Sequence, residues 1–187
     1  MAKNTQWKAP LEGTIKVNTD GAFRPTTGLA GIGMVCRDSM GEFVGGFGRA
    51  VDADSAFMAK CIALLEALRH RGKLPALHIV YEIDCETLYK MLINKTTVGC
   101  EWNCRDLLEE IQDALEAGDD SSVSLTDRGG NKPTDFLAVD AARRMHQHDW
   151  LVSPPSSLCD ILIHDSVRAR DFCDKPFVEA DKEAAPF

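Results

Sequence analysis

Two aspartates and one lysine are the residues whose placement invites chemistry. The stretch TIKVNTDGAF (14–23) alternates, with Ile15, Val17 and Thr19 facing one way and Lys16, Asn18 and Asp20 the other. It reads as a strand with Asp20 near its carboxyl end. ALHIVYEID (76–84) reads as another strand, and Asp84 closes it. Brought together, two such carboxylates offer hard oxygen ligands to Mg²⁺ or Mn²⁺. Aspartates also end strands because they favour turns, so either one alone carries little weight. The lysine is Lys60, within SAFMAKCIALLEAL (55–68). Ala56, Ala59, Ala63 and Ala67 recur at spacings of three and four beside Leu64 and Leu68, which predicts a helix with one buried apolar face. Lys60 falls at the rim of that face. Lysine is almost never fully buried without a partner, so the plainest expectation is a stem lying on the apolar surface with its ammonium in water.

The elements that must position these groups are legible from the pattern. LAGIGMVCRD (29–38) and EFVGGFGRA (42–50) read as two strands joined by a tight turn at Ser39-Met40-Gly41. Their glycines lie inside strands, so G-I-G is not a dinucleotide fingerprint. A helix over 55–72 stops near Gly72 and Pro75. A short helix follows over 85–94, then an amphipathic one over 104–118 with Leu107, Leu108, Ile111 and Leu115 on one side. SSVSLTD (121–127) is a short fifth strand. Asn131 is the expected N-cap of a last helix that has Pro133 in its first turn and runs to about His148. Residues 151–165 form a proline-punctuated tail with a short apolar segment, and the last 20 or so residues are expected to be mobile. The division is a lead-in over 1–13, an α/β domain over 14–150 and a tail over 151–187. The order β-β-β-α-β-α-α-β-α lets the fourth strand return parallel to the first. Asp20 and Asp84 then meet beyond the carboxyl ends of strands, where open α/β sheets bind ligands.

Composition sets the outer bounds. The chain has 187 residues, 44% of them hydrophobic, which suits one globular domain with a real core. No apolar run approaches the roughly 20 residues of a membrane span, and the opening has neither a signal core nor transit character. An intracellular protein, cytoplasmic or nuclear, is expected. The net charge of −8 argues against broad binding to phosphate backbones but leaves room for a local basic groove. Seven cysteines without a secretion signal suggest reduced thiols. The Cys100/Cys104 and His146/His148 pairs do not match zinc spacings.

These blocks resemble the ribonuclease H-like superfamily, in the form abundant in plants and related to retroelement ribonuclease H domains. WKAPLEGTIKVNTDGAF (7–23), AGIGMVCRDSMGEFVGGF (30–47), VYEIDCETL (80–88) and DRGGNKPTDFLAVDAARR (127–144) follow the family's order, and Trp150 with 151–162 resembles its usual tail. The resemblance implies a five-stranded mixed sheet, three antiparallel strands then two parallel, with helices on both faces. It also implies two-metal hydrolysis of the RNA strand of an RNA–DNA hybrid, with ions roughly 3.5–4 Å apart held by four carboxylates. One ion activates water and the other steadies the leaving oxygen. Carried over, Asp20, Asp84 and Asp135 are three of those carboxylates, both catalytic and metal-ligating. Gly21, Ala22, Arg128 and Asn131 fall at substrate-binding positions. The fourth carboxylate is a glutamate in an Ala-Glu pair of the first helix, and here the pair is Ala59-Lys60.

That substitution shifts the local charge by two units. At about 4 Å and an effective dielectric near 20, each unit pair is worth about 4 kcal/mol, so two units opposite a divalent ion give a raw ceiling on the order of 16 kcal/mol. Glu66 is no substitute, since six residues place it about 240° around the helix. Lys60 instead suits the role of an internal cation among Asp20, Asp84 and Asp135, with its own pKa raised and no metal cofactor needed. Active relatives often carry a histidine before the last helix. Here Leu125 falls near that place, and Gly129 stands where an acid is common. Arg128 has two roles open to it: a phosphate contact, or a surface pairing with Asp127 or a helix carboxylate. Three functions follow. The first is a catalytically impaired protein that keeps a groove for RNA–DNA hybrid or RNA. The second is an active hybrid-specific endonuclease using Mg²⁺ or Mn²⁺. The third is a protein-interaction module, with Trp150, Leu158, Ile161 and Leu162 of the tail either meeting a partner or packing on the domain itself.

Overall fold

The computed structural model describes residues 7–74, 78–118, 120–144, 147–150 and 154–173. Alternating apolar runs form the strands β1 (Thr14–Arg24), β2 (Leu29–Arg37), β3 (Phe43–Val51), β4 (His78–Ile83) and β5 (Ser121–Leu125). Between and after them lie helices α1 (Ala56–Arg69), α2 (Glu86–Ile93), α3 (Arg105–Glu116), α4 (Lys132–Arg144) and α5 (Ser156–Cys173). β1, β2 and β3 pair antiparallel, and β4 and β5 join parallel on the other side of β1. The expected five-stranded mixed sheet is therefore present. A short sixth strand, β6 (Gln147–Trp150), extends it by pairing antiparallel with Gly46–Arg49 of β3, giving the order β5-β4-β1-β2-β3-β6.

β6 corrects one expectation. The helix expected to run to about His148 is α4, which ends at Arg144, and residues 147–150 are strand rather than helix. The free edge of β3 offers a row of backbone donors and acceptors, and pairing with it overrides local helical pattern. Residues 145–146 lie outside the described set, and so does the side chain of Trp150.

One face of the sheet buries Ile15, Val17, Ile32, Met34 and Phe47 against Leu64, Leu65 and Leu68 of α1 and Leu108 and Ile111 of α3. On the other face, Val35 packs with Leu137 of α4 and with Leu158 and Leu162 of α5. Of the two roles open to the tail, packing on the domain itself is the one Leu158 and Leu162 take. Leu158 and Leu162 are buried inside the protein's own core, because an amphipathic helix gains most by covering the nearest apolar face. The expected mobility of the C-terminal end falls partly on 174–187, outside the described residues, while 168–173 belong to α5.

A buried polar cluster holds the chain's two flanks to that second face. Arg37 is fully buried, with Nη1 3.3 Å from Asp165 of α5 and Nη2 donating to Asn18 Oδ1 at 3.2 Å. The Trp7 ring covers the guanidinium at 3.7 Å, and its Nε1 donates to Asn18 Oδ1 at 3.0 Å. Asn18 Nδ2 donates to Glu82 at 2.8 Å, and Glu82 pairs with Lys16 at 2.8 Å. Burial pushes the Arg37 guanidinium down to about 10, against the pull of Asp165 and Glu82. A charge this deep is held by the paired Asp165 carboxylate and by Asn18, itself bonded onward to Glu82, although the buried Nε of Arg37 has no hydrogen-bond partner among the described residues. Trp7 is 1% exposed. Replacing it, Trp7→Ala, is expected to lower stability by about 3–5 kcal/mol in urea unfolding; a loss under about 1 kcal/mol would show the lead-in to be an ornament.

Candidate active site

Parallel pairing of β1 with β4 sets Asn18 level with Glu82. Two residues further along each strand, Asp20 and Asp84 arrive side by side at the carboxyl edge. The third participant comes from the layer below. A Cβ on Gly21 would lie 2.3 Å from the carbonyl carbon of Ala59 and 2.4 Å from the backbone nitrogen of Lys60. Glycine at this place lets α1 touch β1 at the residue before Lys60, so the lysine stem can reach over the sheet edge. The start of α1 is fixed by Ser55, whose hydroxyl accepts from the Met58 amide at 3.0 Å and donates to Glu101 at 2.6 Å.

Lys60 does not carry its ammonium out to water. Nζ donates to Asp20 Oδ1 in a short contact and to Asp84 Oδ1 at 2.6 Å. The lysine side chain is 19% exposed and each carboxylate only 5%. The three-carboxylate arrangement is met in part. Asp135, in the first turn of α4, lines the same cleft but is itself exposed. The cleft, of about 350 Å³, is also walled by Gly21, Ala22 and Arg128, and by Phe23 and Ala56, which carry no sequence signal.

Asn131 lies elsewhere. It is fully buried, its amide donating to the Thr19 carbonyl at 3.0 Å and its Oδ1 accepting from the Thr134 hydroxyl at 2.6 Å. Its backbone carbonyl accepts from the Asp135 amide at 3.1 Å. Asn131 thus pins the start of α4 to β1 and sets where Asp135 stands. Glu66 pairs with Arg49 at 3.0 Å and Arg69 at 2.7 Å, away from the cleft. Leu125 ends β5 at 42% exposure.

Electrostatics follow from this packing. Burial pushes the Asp20 carboxyl up to about 6, opposed by the Lys60 ammonium and reinforced by the Asp84 charge. For Lys60, burial works against the ammonium, but Asp20 and Asp84 outweigh it and the pKa rises above the ordinary lysine value. The group between the two aspartates is therefore a cation, and a protonated amine has no lone pair for a metal. Among the described residues, no group of three or more His, Cys, Asp or Glu is placed to hold a metal ion. The residues as they stand do not fit a resident divalent ion.

The reverse transcriptase-like family matches residues 18–141. The chain belongs to that family and has the ribonuclease H-like fold. A protein of Arabidopsis thaliana, named provisionally for ribonuclease H, is 35% identical over 86 residues; these are 46% of this chain but 14% of that much longer protein. Ribonuclease H1 of Halobacterium salinarum superposes with a TM-score of 0.62 at 24% identity, covering 68% of this ribonuclease H-like chain and 96% of its own. A compost-derived ribonuclease H1, solved with an RNA/DNA hybrid, gives a TM-score of 0.61 at 22% identity, covering 70% and 97%.

The pH dependence of the lysine's contribution is testable. A carboxyl whose folded pKa lies above its unfolded value makes the native state bind more protons, so that group's effect on stability worsens as pH rises from about 4 through about 6. Lys60 offsets that charge, so its worth is greatest once the carboxylates are ionised. Lys60→Met is expected to cost about 3 kcal/mol or more near pH 8 and clearly less near pH 4 in denaturant titrations. An equal cost at both pH values would show that the ammonium acts only through packing of its stem.

Proposed function

We propose that this ribonuclease H-like protein binds RNA–DNA hybrid, or RNA, along its cleft and is impaired in metal-dependent cleavage. The observation that carries the reading is the Lys60 ammonium seated between Asp20 and Asp84. It fills with a single tethered charge the place that the resemblance gives to divalent ions, and it removes one of four carboxylate ligands. Metal ions, where the family has them, supply the activated water and the stabilised leaving oxygen. This chain's own residues do something else. Lys60 neutralises one carboxylate charge, Arg128 presents an exposed guanidinium to an incoming phosphate, and Asn131 ties the loop that carries Arg128 to β1. Three carboxylates and two cations line the cleft, so binding there is expected to be modest and salt-sensitive.

Cleavage of a labelled hybrid with Mg²⁺ or Mn²⁺ tests the proposal directly. The protein as it stands is expected to retain the hybrid on gels without cutting it. Lys60→Glu is expected to raise the cleavage rate by about a hundredfold or more, and to add a Mg²⁺-dependent rise in Tm. Cleavage by the unaltered protein that vanishes in Asp20→Asn would instead establish an active hybrid endonuclease. No hybrid binding by either protein would remove the nucleic-acid reading and leave a protein-interaction module.

A further inference from the structure

The segment joining α2 to α3 has no part in the cleft as described, yet it is built with care. Its second residue after the helix end, Lys95, adopts a positive φ of 48° and pairs with Glu116 at 2.7 Å. At its far end Glu101 accepts from Ser55, and Asn103 donates to Asp54 at 3.4 Å. Both ends are thus tied down, to α3 and to the turn before α1. Between these ties the segment turns its apolar side chains outward: Val98 is 85% exposed and Trp102 is 89% exposed. An aromatic held out on an anchored loop loses little freedom when it binds, and tryptophan is the commonest anchor of protein interfaces.

The charge around it selects the partner. Asp106, Glu109 and Asp113 lie on one exposed face of α3, at spacings of three and four starting one turn after Trp102. None of them has an ion pair among the described residues, and two further carboxylates flank Trp102: Glu101 precedes it, and Asp54 accepts from Asn103. Arg105 is the one nearby cation not already paired with a carboxylate among the described residues. Trp102 could in principle stack on a base, but a phosphate backbone following it would run along carboxylates. We propose that Val98, Trp102 and the acidic face of α3 form a docking surface for a basic protein segment carrying an apolar anchor residue.

A displayed library of random peptides, selected on the full chain, tests this without a known partner. Enriched peptides should pair lysine or arginine with an aliphatic or aromatic residue. Their affinity should fall about tenfold or more in Trp102→Ala, and severalfold, with loss of salt dependence, in the triple change Asp106→Asn, Glu109→Gln, Asp113→Asn. Hybrid binding serves as the control for folding and should not change in either variant. Enrichment of acidic or neutral peptides, enrichment indifferent to Trp102→Ala, or no enrichment would each overturn the proposal. So would single-stranded DNA binding, or self-association, that disappears in Trp102→Ala.

Discussion

Two buried carboxylates set side by side, one on a strand and one just past the end of its parallel neighbour, repel one another, and the deeper they are buried the more the repulsion costs. Asp20 and Asp84 are in that position, each with a side chain 5% exposed. Something positive must lie between them, or one must hold a proton. Here the positive charge is covalently part of the chain. The Lys60 ammonium satisfies both carboxylates and is in turn held charged by them. A bound ion can dissociate or be chelated; a tethered one cannot. The same tether fixes what the site can do, because an ammonium can donate hydrogen bonds but cannot activate a water as a Lewis acid.

That arrangement depends on close approach rather than on the lysine alone. Without a glycine at 21, α1 would stand off from β1 and the stem of Lys60 would fall short of the edge. Without Asn131, the loop that carries Arg128 and the first turn of α4 would lose the side-chain hydrogen bond that ties them to β1. The cleft is thus assembled from both layers of the sandwich. β1 and β4 bring the aspartates, α1 reaches in from one face, and α4 contributes its N-terminal turn from the other.

Much of this could be read in the sequence because it rests on local rules. The alternation of TIKVNTD and the run HIVYEI marked two strands, although β1 runs on past Asp20 to Arg24 where the sequence suggested a stop at Asp-Gly, and the spacing of Ala59, Ala63 and Ala67 set Lys60 at the rim of a buried face. The destination of the lysine could not be read from periodicity, since a rim position suits snorkelling as well as pairing; only the aligned family position suggested it. Two features stayed hidden for a different reason. β6 is defined by the free edge of β3, a long-range partner that no local pattern announces. Lys16 and Asn18 alternate as a solvent-facing set would, yet they are buried, because Trp7 and α5 come from opposite ends of the sequence to cover them. Asn131 gave a helix-cap signal, and its bond to Thr19 explains why it is buried and stays out of the cleft.

The clamp around Arg37 also ties distant parts of the chain to one another. Trp7 and Asp165, 158 positions apart, close on one guanidinium from two sides. Trp7 and Asp165 therefore both lie on the face of the sheet opposite the layer formed by α1 and α3. Cutting the chain between β6 and α5 would strand a buried cation whose carboxylate had been removed, and the loss would be felt in the middle of the sheet.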